Sequence, residues 1–153
     1  MPKTPDIRRE PAGDPTGRAL VDAMVAEVEA LYGPAPDGWP SASPEEMGPP
    51  HGGFVVLYAG QDPVAGGGVK RLAAGVAEIK RMYVVPAARG RGHARRLLTA
   101  LEELGRELGY AHVRLDTGDR QPHAKALYES AGYRPVVDYN GNVRAAFWYE
   151  KEL

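Results

Sequence analysis

The chain has 153 residues, with 19 basic and 20 acidic side chains, a formal net charge of −1 and no cysteine. This length fits a single domain over residues 1–153, and the near-zero net charge gives no general reason to expect nucleic acid or an anionic membrane as a partner. The lack of cysteine excludes disulfides, thiolate catalysis and cysteine zinc sites, and it fits a reducing cytoplasm. No apolar run reaches the length of a signal peptide or a membrane span, so we expect a soluble cytoplasmic protein.

The N-terminal region predicts one helix after an irregular start. Residues 1–15 are rich in proline and charge, so we expect them to be partly disordered, with a weak strand over residues 7–10. From Thr16 onwards the apolar side chains recur at helical spacing, until Gly33 and the proline after it end the run.

A long loop follows this helix. Residues 34–53 are too rich in proline, glycine and serine for a full helix, although Ser43 can cap a single turn over residues 44–47. Long loops within compact domains are often functional, so we expect this loop to lie on the acceptor side of a binding site. Its candidate wall residues are Asp37, Trp39, Glu45, Glu46 and His51.

Three strands come next, over residues 54–59, 64–72 and 76–85. Their connections are too short for a parallel crossover, so neighbouring strands must be antiparallel. The middle strand contains three consecutive glycines, Gly66 to Gly68, which suggests close approach of another backbone or a ligand.

The second half alternates helices and strands. A Leu-rich helix over residues 94–108 leads to a strand at 111–116, and a crossover helix of this kind predicts a parallel pairing. A second helix follows at 122–131, and two strands, 133–137 and 144–150, flank an Asn-Gly turn. This order predicts an α/β (α+β) domain with a mixed, mostly antiparallel sheet and flanking helices, and not a doubly wound fold.

The stretch from Glu78 to Leu108 joins a strand, a Gly/Arg turn and a helix. Backbone amides at the start of such a helix face outward and bind anions, and Gly90 and Gly92 let a ligand approach the main chain closely. Between residues 70 and 96 eight basic side chains accompany Glu78 as the single acid. The arginines grouped around the turn are Arg89, Arg91, Arg95 and Arg96.

Two nucleotide-binding motifs are excluded by spacing. A dinucleotide fingerprint needs a third glycine where this chain has Arg95, although an acid, Asp116, follows near the expected interval. The phosphate loop motif G-x-x-x-x-G-K-[ST] is absent from the sequence.

Two segments together resemble the GNAT superfamily of acetyl-CoA-dependent N-acetyltransferases. The pyrophosphate loop of that family, [QR]-x-x-G-x-[GA], corresponds to Arg89, Gly92 and Ala94. The second family motif, A-x-x-L-Y-x-x-x-G-[FY], corresponds to Ala124, Leu127, Tyr128, Gly132 and Tyr133. The resemblance covers residues 54–153, and the part of the chain before it is the part that varies with substrate in this family.

The resemblance implies a mechanism and a set of site residues. The strand before the loop would be splayed at a bulge, with the backbone of Met82 bonded to the thioester carbonyl and that of Val84 to the pantetheine arm. Tyr128 would be the general acid for the CoA thiolate, and Glu78 would be the base that removes the amine proton, often through water. The residues expected to bind acetyl-CoA are Met82, Tyr83, Val84, Arg89, Gly90, Arg91, Gly92, His93, Ala94, Arg95, Gln121 and Ala124.

Some positions depart from the family or carry other interpretations. Many family members place an asparagine before the second-motif helix, and this chain has Asp119 and Gln121 there instead. We expect His93 to face solvent within the loop. The remaining histidines, His51, His112 and His123, show no metal-ligand spacing, so we expect structural roles and no metal site.

The acceptor is left open by the sequence. The leading hypothesis is direct acetyl transfer to a primary amine of a small molecule, and the acidic, aromatic loop from Asp37 to Glu46 slightly favours a cationic amine. The alternatives are acetylation of a protein lysine or N-terminus, and a non-catalytic CoA-binding sensor. Three aromatic residues in a row, 147–149, put at least one ring on the outside of an exposed last strand, where a homodimer contact could form.

Overall fold

The computed structural model describes residues 4–37, 39–40 and 42–153. Within these residues the helices and strands follow the order expected from the sequence. We expected partial disorder over residues 1–15, but the described part of that segment, residues 4–15, contains a strand. The elements are β1 (Asp6–Arg9), α1 (Pro15–Tyr32), β2 (Gly53–Ala59), β3 (Asp62–Ala73), β4 (Val76–Val84), α2 (His93–Glu107), β5 (His112–Thr117), α3 (Pro122–Ser130), β6 (Arg134–Val136) and β7 (Phe147–Glu152).

The seven strands form one sheet in the order β1-β2-β3-β4-β5-β7-β6. Strands β1 to β4 are antiparallel neighbours, and β5 pairs with β4 in parallel after the crossover through α2. The prediction of a mixed, mostly antiparallel sheet is therefore confirmed. The last strand is not exposed at an edge as expected, because β7 pairs with β5 on one side and β6 on the other. Its Tyr149 is buried, while Phe147 and Trp148 are half-buried.

The predicted start of the last strand, Arg144, is wrong. Residues 137–146 form a loop in which Asp138 Oδ1 accepts the backbone amides of Asn140 and Gly141. A second turn follows, closed by the amide of Ala145 bonding to the carbonyl of Asn142 at 3.0 Å. These turns use the backbone groups that a strand would need, so Arg144 is left in the loop with its side chain buried.

The sheet separates two apolar cores. On one face α2 buries Leu97 and Leu101 completely, because its leucines recur every three or four residues along one side. On the other face α1 contributes Leu20, which packs with Phe54. The C-terminal half of the α1 stripe, Val28 and Leu31, lines an open cleft instead.

Apolar side chains pack closely against the three glycines of β3. A Cβ atom on Gly66 would lie 2.8 Å from Leu20 Cδ1, and one on Gly68 would lie 2.2 Å from Met47 Sδ. A Cβ on Gly67 would lie 3.1 Å from a methyl group of Leu101. The strand lacks side chains here because α1, α2 and the 34–53 loop all place apolar groups against it.

The single turn predicted in the loop is present. Ser43 Oγ accepts the amide of Glu46 and Glu46 Oε1 accepts the amide of Ser43, each at 3.1 Å, which is a reciprocal capping box. The amide of Met47 bonds to the carbonyl of Ser43, and the Met47 side chain is buried. The helices that the structure describes include none long and apolar enough to cross a membrane.

Candidate active site

The cleft opens where β4 and β5 separate. Their parallel pairing stops at Glu78 and Arg114, so the later residues of β4 have no partner on that side. On the other side, β3 pairs Gly66 with Tyr83 but Gly68 with Lys80, which leaves two residues of β4 opposite one of β3. This is a β-bulge, and it explains the splay that the family resemblance implies.

The bulge contains a residue in a left-handed backbone conformation. Arg81 has φ of 61°, although it is not a glycine. Such a conformation costs an L-residue about 1–2 kcal/mol. The strain turns the end of β4, with the side chains of Arg81 and Met82, toward the cleft.

The Gly/Arg turn ends in an uncapped helix. Gly92 is the N-cap of α2 with φ of 81°, and no side chain caps it. The first helical backbone bond is donated by Arg96 to the Gly92 carbonyl at 3.2 Å. The amides of His93, Ala94 and Arg95 therefore have no carbonyl partner within the helix, which makes this helix end suited to an anion.

The arginines of the turn mostly hold the loop in place. Arg89 donates from Nε to the carbonyl of Val84 at 3.0 Å and from Nη2 to Glu27 of α1 at 2.5 Å. Arg96 Nη1 bonds to the carbonyl of Arg91 at 2.9 Å. Arg95 reaches Ser130 on α3 at 2.6 Å, so it links the two helices that border the cleft.

One cleft of about 1070 Å³ gathers most of the predicted site residues. Of the fourteen predicted residues, Glu78 and Arg91 are the two that do not line it. Those that do are Met82, Tyr83, Val84, Arg89, Gly90, Gly92, His93, Ala94, Arg95, Gln121, Ala124 and Tyr128.

Tyr128 lies on α3 against the splayed strand. Its hydroxyl is 3.7 Å from Met82 Sδ, and its ring packs against Tyr133 and Tyr149 with centroid separations of 5.8 and 6.2 Å. Burial, together with the negative charge of Asp116, raises the pKa of the Tyr128 phenol well above its ordinary value of 10. The phenol therefore carries its proton at physiological pH and can donate it.

Glu78 is buried behind the cleft wall. Its Oε2 accepts hydrogen bonds from Tyr139 at 2.8 Å and Asn140 at 3.2 Å, and Lys80 Nζ lies 3.5 Å away. Burial, followed by the charge of Glu78, raises the pKa of the Tyr139 phenol far above its ordinary value, so Tyr139 remains a donor to Glu78.

Asp116 is a further candidate site residue, which was not among those predicted from the sequence. It lies near the end of β5 and lines the cleft, and its Oδ2 accepts from Asn140 at 2.6 Å and Asn142 at 3.3 Å. Trp148 Nε1, which can only donate, bonds to Asn140 Oδ1 and so directs the Asn140 amide nitrogen at Asp116 and Glu78. The sequence offered one signal for this residue: Asp116 ends the predicted strand that pairs in parallel with β4.

His93 does not face solvent as expected. It is the first residue of α2 and lies four residues before Leu97, so its ring falls on the buried face of the helix and is only 8% exposed. Burial and the nearby charges of Arg96 and Arg91 lower the pKa of His93 below its ordinary value. The ring is therefore neutral at pH 7.

Of the proposed acceptor-wall residues in the 34–53 loop, Trp39 lines the cleft. Glu46 forms an ion pair with Lys70 at 2.6 Å, the His51 carbonyl accepts the Tyr110 hydroxyl, and Asp37 and Glu45 are exposed. Among the residues described in the structure, no group of three or more His, Asp or Glu side chains is arranged to hold a metal ion.

Comparison with known proteins agrees with this geometry. The model of the acetyltransferase (GNAT) family matches residues 18–133. The chain is 34% identical over 149 residues to YjgM, an uncharacterised N-acetyltransferase of Escherichia coli, covering 90% of this chain and 86% of that protein. It is 35% identical over 116 residues to the N-alpha-acetyltransferase RimI of Mycobacterium tuberculosis, covering 72% and 71% of the two chains.

A solved structure shares the fold over its full length. It is a protein from Klebsiella pneumoniae assigned as an acyl-CoA N-acyltransferase, with a TM-score of 0.79, 27% identity and 98% coverage of both chains. The family match spans most of the sequence and includes both motifs around the cleft. The chain therefore belongs to the GNAT family and is an acyl-CoA-dependent N-acetyltransferase.

Proposed function

We propose that this enzyme transfers an acetyl group from acetyl-CoA directly to a primary amine of a small molecule within a ternary complex. The observation that supports this proposal best is the convergence on one cleft of the uncapped start of α2, the unpaired edge of β4 and the Tyr128 hydroxyl. An anion, an extended pantetheine arm and a thiolate each find a matching group there.

The residues around the cleft fit acetyl-CoA. The free amides at the start of α2, with those of Arg91 and Gly92 in the turn, would hold the pyrophosphate. A Cβ at Gly90 would meet no heavy atom within 4 Å, so there is open space above the turn. The edge of β4 that faces away from β3, over residues 82–84, would bond to the pantetheine arm as a neighbouring strand does.

The arm would also run along the start of α3. Gln121 and Ala124 line the cleft on the first turn of this helix. Gln121 carries the same amide group as the asparagine found in many family members, with one methylene more.

The reaction needs a neutral amine and a proton for the departing thiolate. The amine nitrogen forms a bond to the acetyl carbonyl carbon while the carbon–sulfur bond breaks, and Tyr128 protonates the sulfur. The proton released by the amine passes to a carboxylate. Glu78 remains the predicted base, acting through water. Asp116 joins it as a carboxylate that lines the cleft, and Asn140 donates to both.

A second candidate acceptor is the N-terminus or a lysine of a protein. The identity to RimI favours it, since that relative is an N-alpha-acetyltransferase. We call the part of the cleft lined by Tyr32, Trp39, Arg81, Asp116 and Arg144 its acceptor end. The bulky side chains of Trp39 and Tyr32 there support a small molecule instead.

The proposal is tested by a screen of small amines and peptides with acetyl-CoA, read as release of free thiol. We expect turnover with a small amine, and we expect acetyl-CoA to raise the melting temperature with free CoA competing. Turnover with peptides alone would favour the second candidate. No thermal shift at millimolar acetyl-CoA would contradict the proposal at its first step.

The cytoplasmic location and the homodimer are predictions. The cysteine-free sequence supports a cytoplasmic location, which fractionation of the native host would check. The homodimer suggested by the aromatic residues of β7 is testable by sedimentation, since Phe147 and Trp148 are half-buried in the single chain.

A further inference from the structure

Two arginines at the acceptor end of the cleft have unused hydrogen-bond donors. The buried side-chain nitrogens without a partner include Nε of Arg81, and Nε and Nη1 of Arg144. Both arginines line the cleft, and among the described residues neither forms an ion pair with a carboxylate. The Arg144 side chain donates from Nη2 to the carbonyl of Gly33 at 2.5 Å.

Buried guanidinium nitrogens without an acceptor are unusual, because burying a polar N–H group unpaired is costly. Arg89 and Arg114, in contrast, pair with carboxylates, Glu27 and Glu150. Arg81 is further distinguished by its left-handed backbone. The Arg81 Nε is buried without a partner beside the cleft, and the carboxylate charge that acts on this guanidinium is that of Glu46. An acceptor oxygen of a ligand would satisfy this nitrogen.

Trp39 packs beside the guanidinium groups of both arginines. Both guanidinium groups lie over its indole ring, with Arg81 Cζ 4.9 Å and Arg144 Cζ 4.4 Å from the ring centroid. Its Nε1 donates to Asn142 Oδ1 at 3.1 Å. The ring stabilises the two cations but offers their N–H groups no acceptor atom, so the donors stay available to a ligand.

The charge around the acceptor end supports an anionic group. Arg120 also lines it and donates to the carbonyl of Leu31, while Asp116 is the carboxylate on the same side. The acids of the 34–53 loop, which suggested a cationic acceptor, do not face the cleft. The acceptor end therefore combines cations for an acid group with one carboxylate for an amine.

We infer that the acceptor carries a carboxylate that binds to Arg81 and Arg144, with its amino group directed at Asp116, so that the substrate is an amino acid or a similar small amino acid analogue. This inference rests on the proposed function and names the class of its substrate. Two guanidinium groups suit this ligand because their planar N–H pairs match the two oxygens of a carboxylate.

The test compares three forms of each amine with the native enzyme. The probes are the common L-amino acids, their carboxamides and the corresponding amines without the carboxyl group, each with acetyl-CoA and read as thiol release. We expect kcat/KM to fall at least about tenfold when the carboxylate is replaced by the amide, mostly through KM. Equal turnover of acids and amides would overturn the inference.

Substitutions test whether the two arginines cause the preference for a carboxylate over its amide. Arg81→Gln and Arg144→Lys should lose most of the preference for the acid over its amide, with acetyl-CoA affinity unchanged. Arg18→Gln, on the exposed surface of α1, is the matched control and should keep the preference. Retention of the full preference in both site variants, with melting temperatures near that of the native protein, would contradict the assignment.

The fluorescence of the Trp39 indole reports binding of the amino acid separately from turnover. The chain has two tryptophans, so a fluorescence change on adding the amino acid to the CoA-bound enzyme should vanish in Trp39→Phe. Absence of any change at saturating amino acid would also contradict the inference. A protein that fails to bind acetyl-CoA fails the proposed function instead, and thermal shift distinguishes the two failures.

Discussion

Replacing Tyr128 with phenylalanine separates catalysis from stability. The hydroxyl contacts Met82 Sδ at 3.7 Å, and a thioether sulfur is a weak acceptor. Its removal should therefore change the free energy of unfolding by less than about 1 kcal/mol. Loss of a general acid, in contrast, typically lowers the rate about 10²–10⁴-fold, which corresponds to roughly 3–5 kcal/mol of transition-state stabilisation.

The assay is steady-state thiol release beside a titration of acetyl-CoA binding by calorimetry. We expect kcat to fall by that factor while the acetyl-CoA affinity and the melting temperature stay close to those of the native enzyme. Because burial raises the pKa of Tyr128 so far, its deprotonation should not limit the native rate below about pH 10.

Tyr133→Phe is the matched control. Its ring packs against Tyr128, but its hydroxyl is committed to Glu102 at 2.7 Å. This variant should lose stability, since Glu102 loses a buried donor, and should keep its kcat. A native kcat in Tyr128→Phe, or an equal fall of kcat in both variants, would refute Tyr128 as the acid.

Four other substitutions test the site and the fold. Glu78→Gln and Asp116→Asn should each alter the pH dependence of kcat/KM if they share the amine proton, and the variant whose profile matches the native one is not the base. Gly68→Ala should destabilise the protein by about 1–3 kcal/mol in urea, since its Cβ would lie 2.2 Å from Met47 Sδ; an unchanged midpoint would show that Met47 moves freely. Burial raises the pKa of Glu150, but hydrogen bonds from two arginines outweigh it and hold that pKa below 4.5. The carboxylate therefore stabilises the fold above this pH, so Glu150→Gln should cost about 1–3 kcal/mol at pH 7 and progressively less as the pH falls below 4.5; a cost that does not change with pH would argue against this pairing.

The sequence predicted those features that depend on neighbours along the chain. Helix α2 with its Gly/Arg turn is local, because Gly90, Gly92 and the leucines after them are consecutive in the sequence. The parallel pairing of β4 with β5 was also predictable, since a helix must cross the sheet between them. The anion site follows from the same segment.

The acceptor end could not be predicted because its contacts join distant parts of the chain. Asn140 bonds to Glu78 across 62 positions, and Trp39 bonds to Asn142 across 103. The segment that carries Asn142 and Arg144 has an apolar pattern like that of a strand, and its turns depend on side-chain bonds that no periodicity reveals. In the folded protein this loop lies against β4 and β5, where Asn140 contacts both candidate carboxylates.

The three glycines of β3 bear on how this enzyme could acquire new substrates. Met47, held by the capping box of Ser43 and Glu46, fills the space above Gly68 and so fastens the loop to the sheet directly. The part of the loop that contains Trp39 is therefore held to the sheet at its C-terminal end by Met47 and the capping box. We therefore expect substitutions at Trp39 and Pro40, which line the cleft, to alter acceptor choice without moving the sheet beneath them.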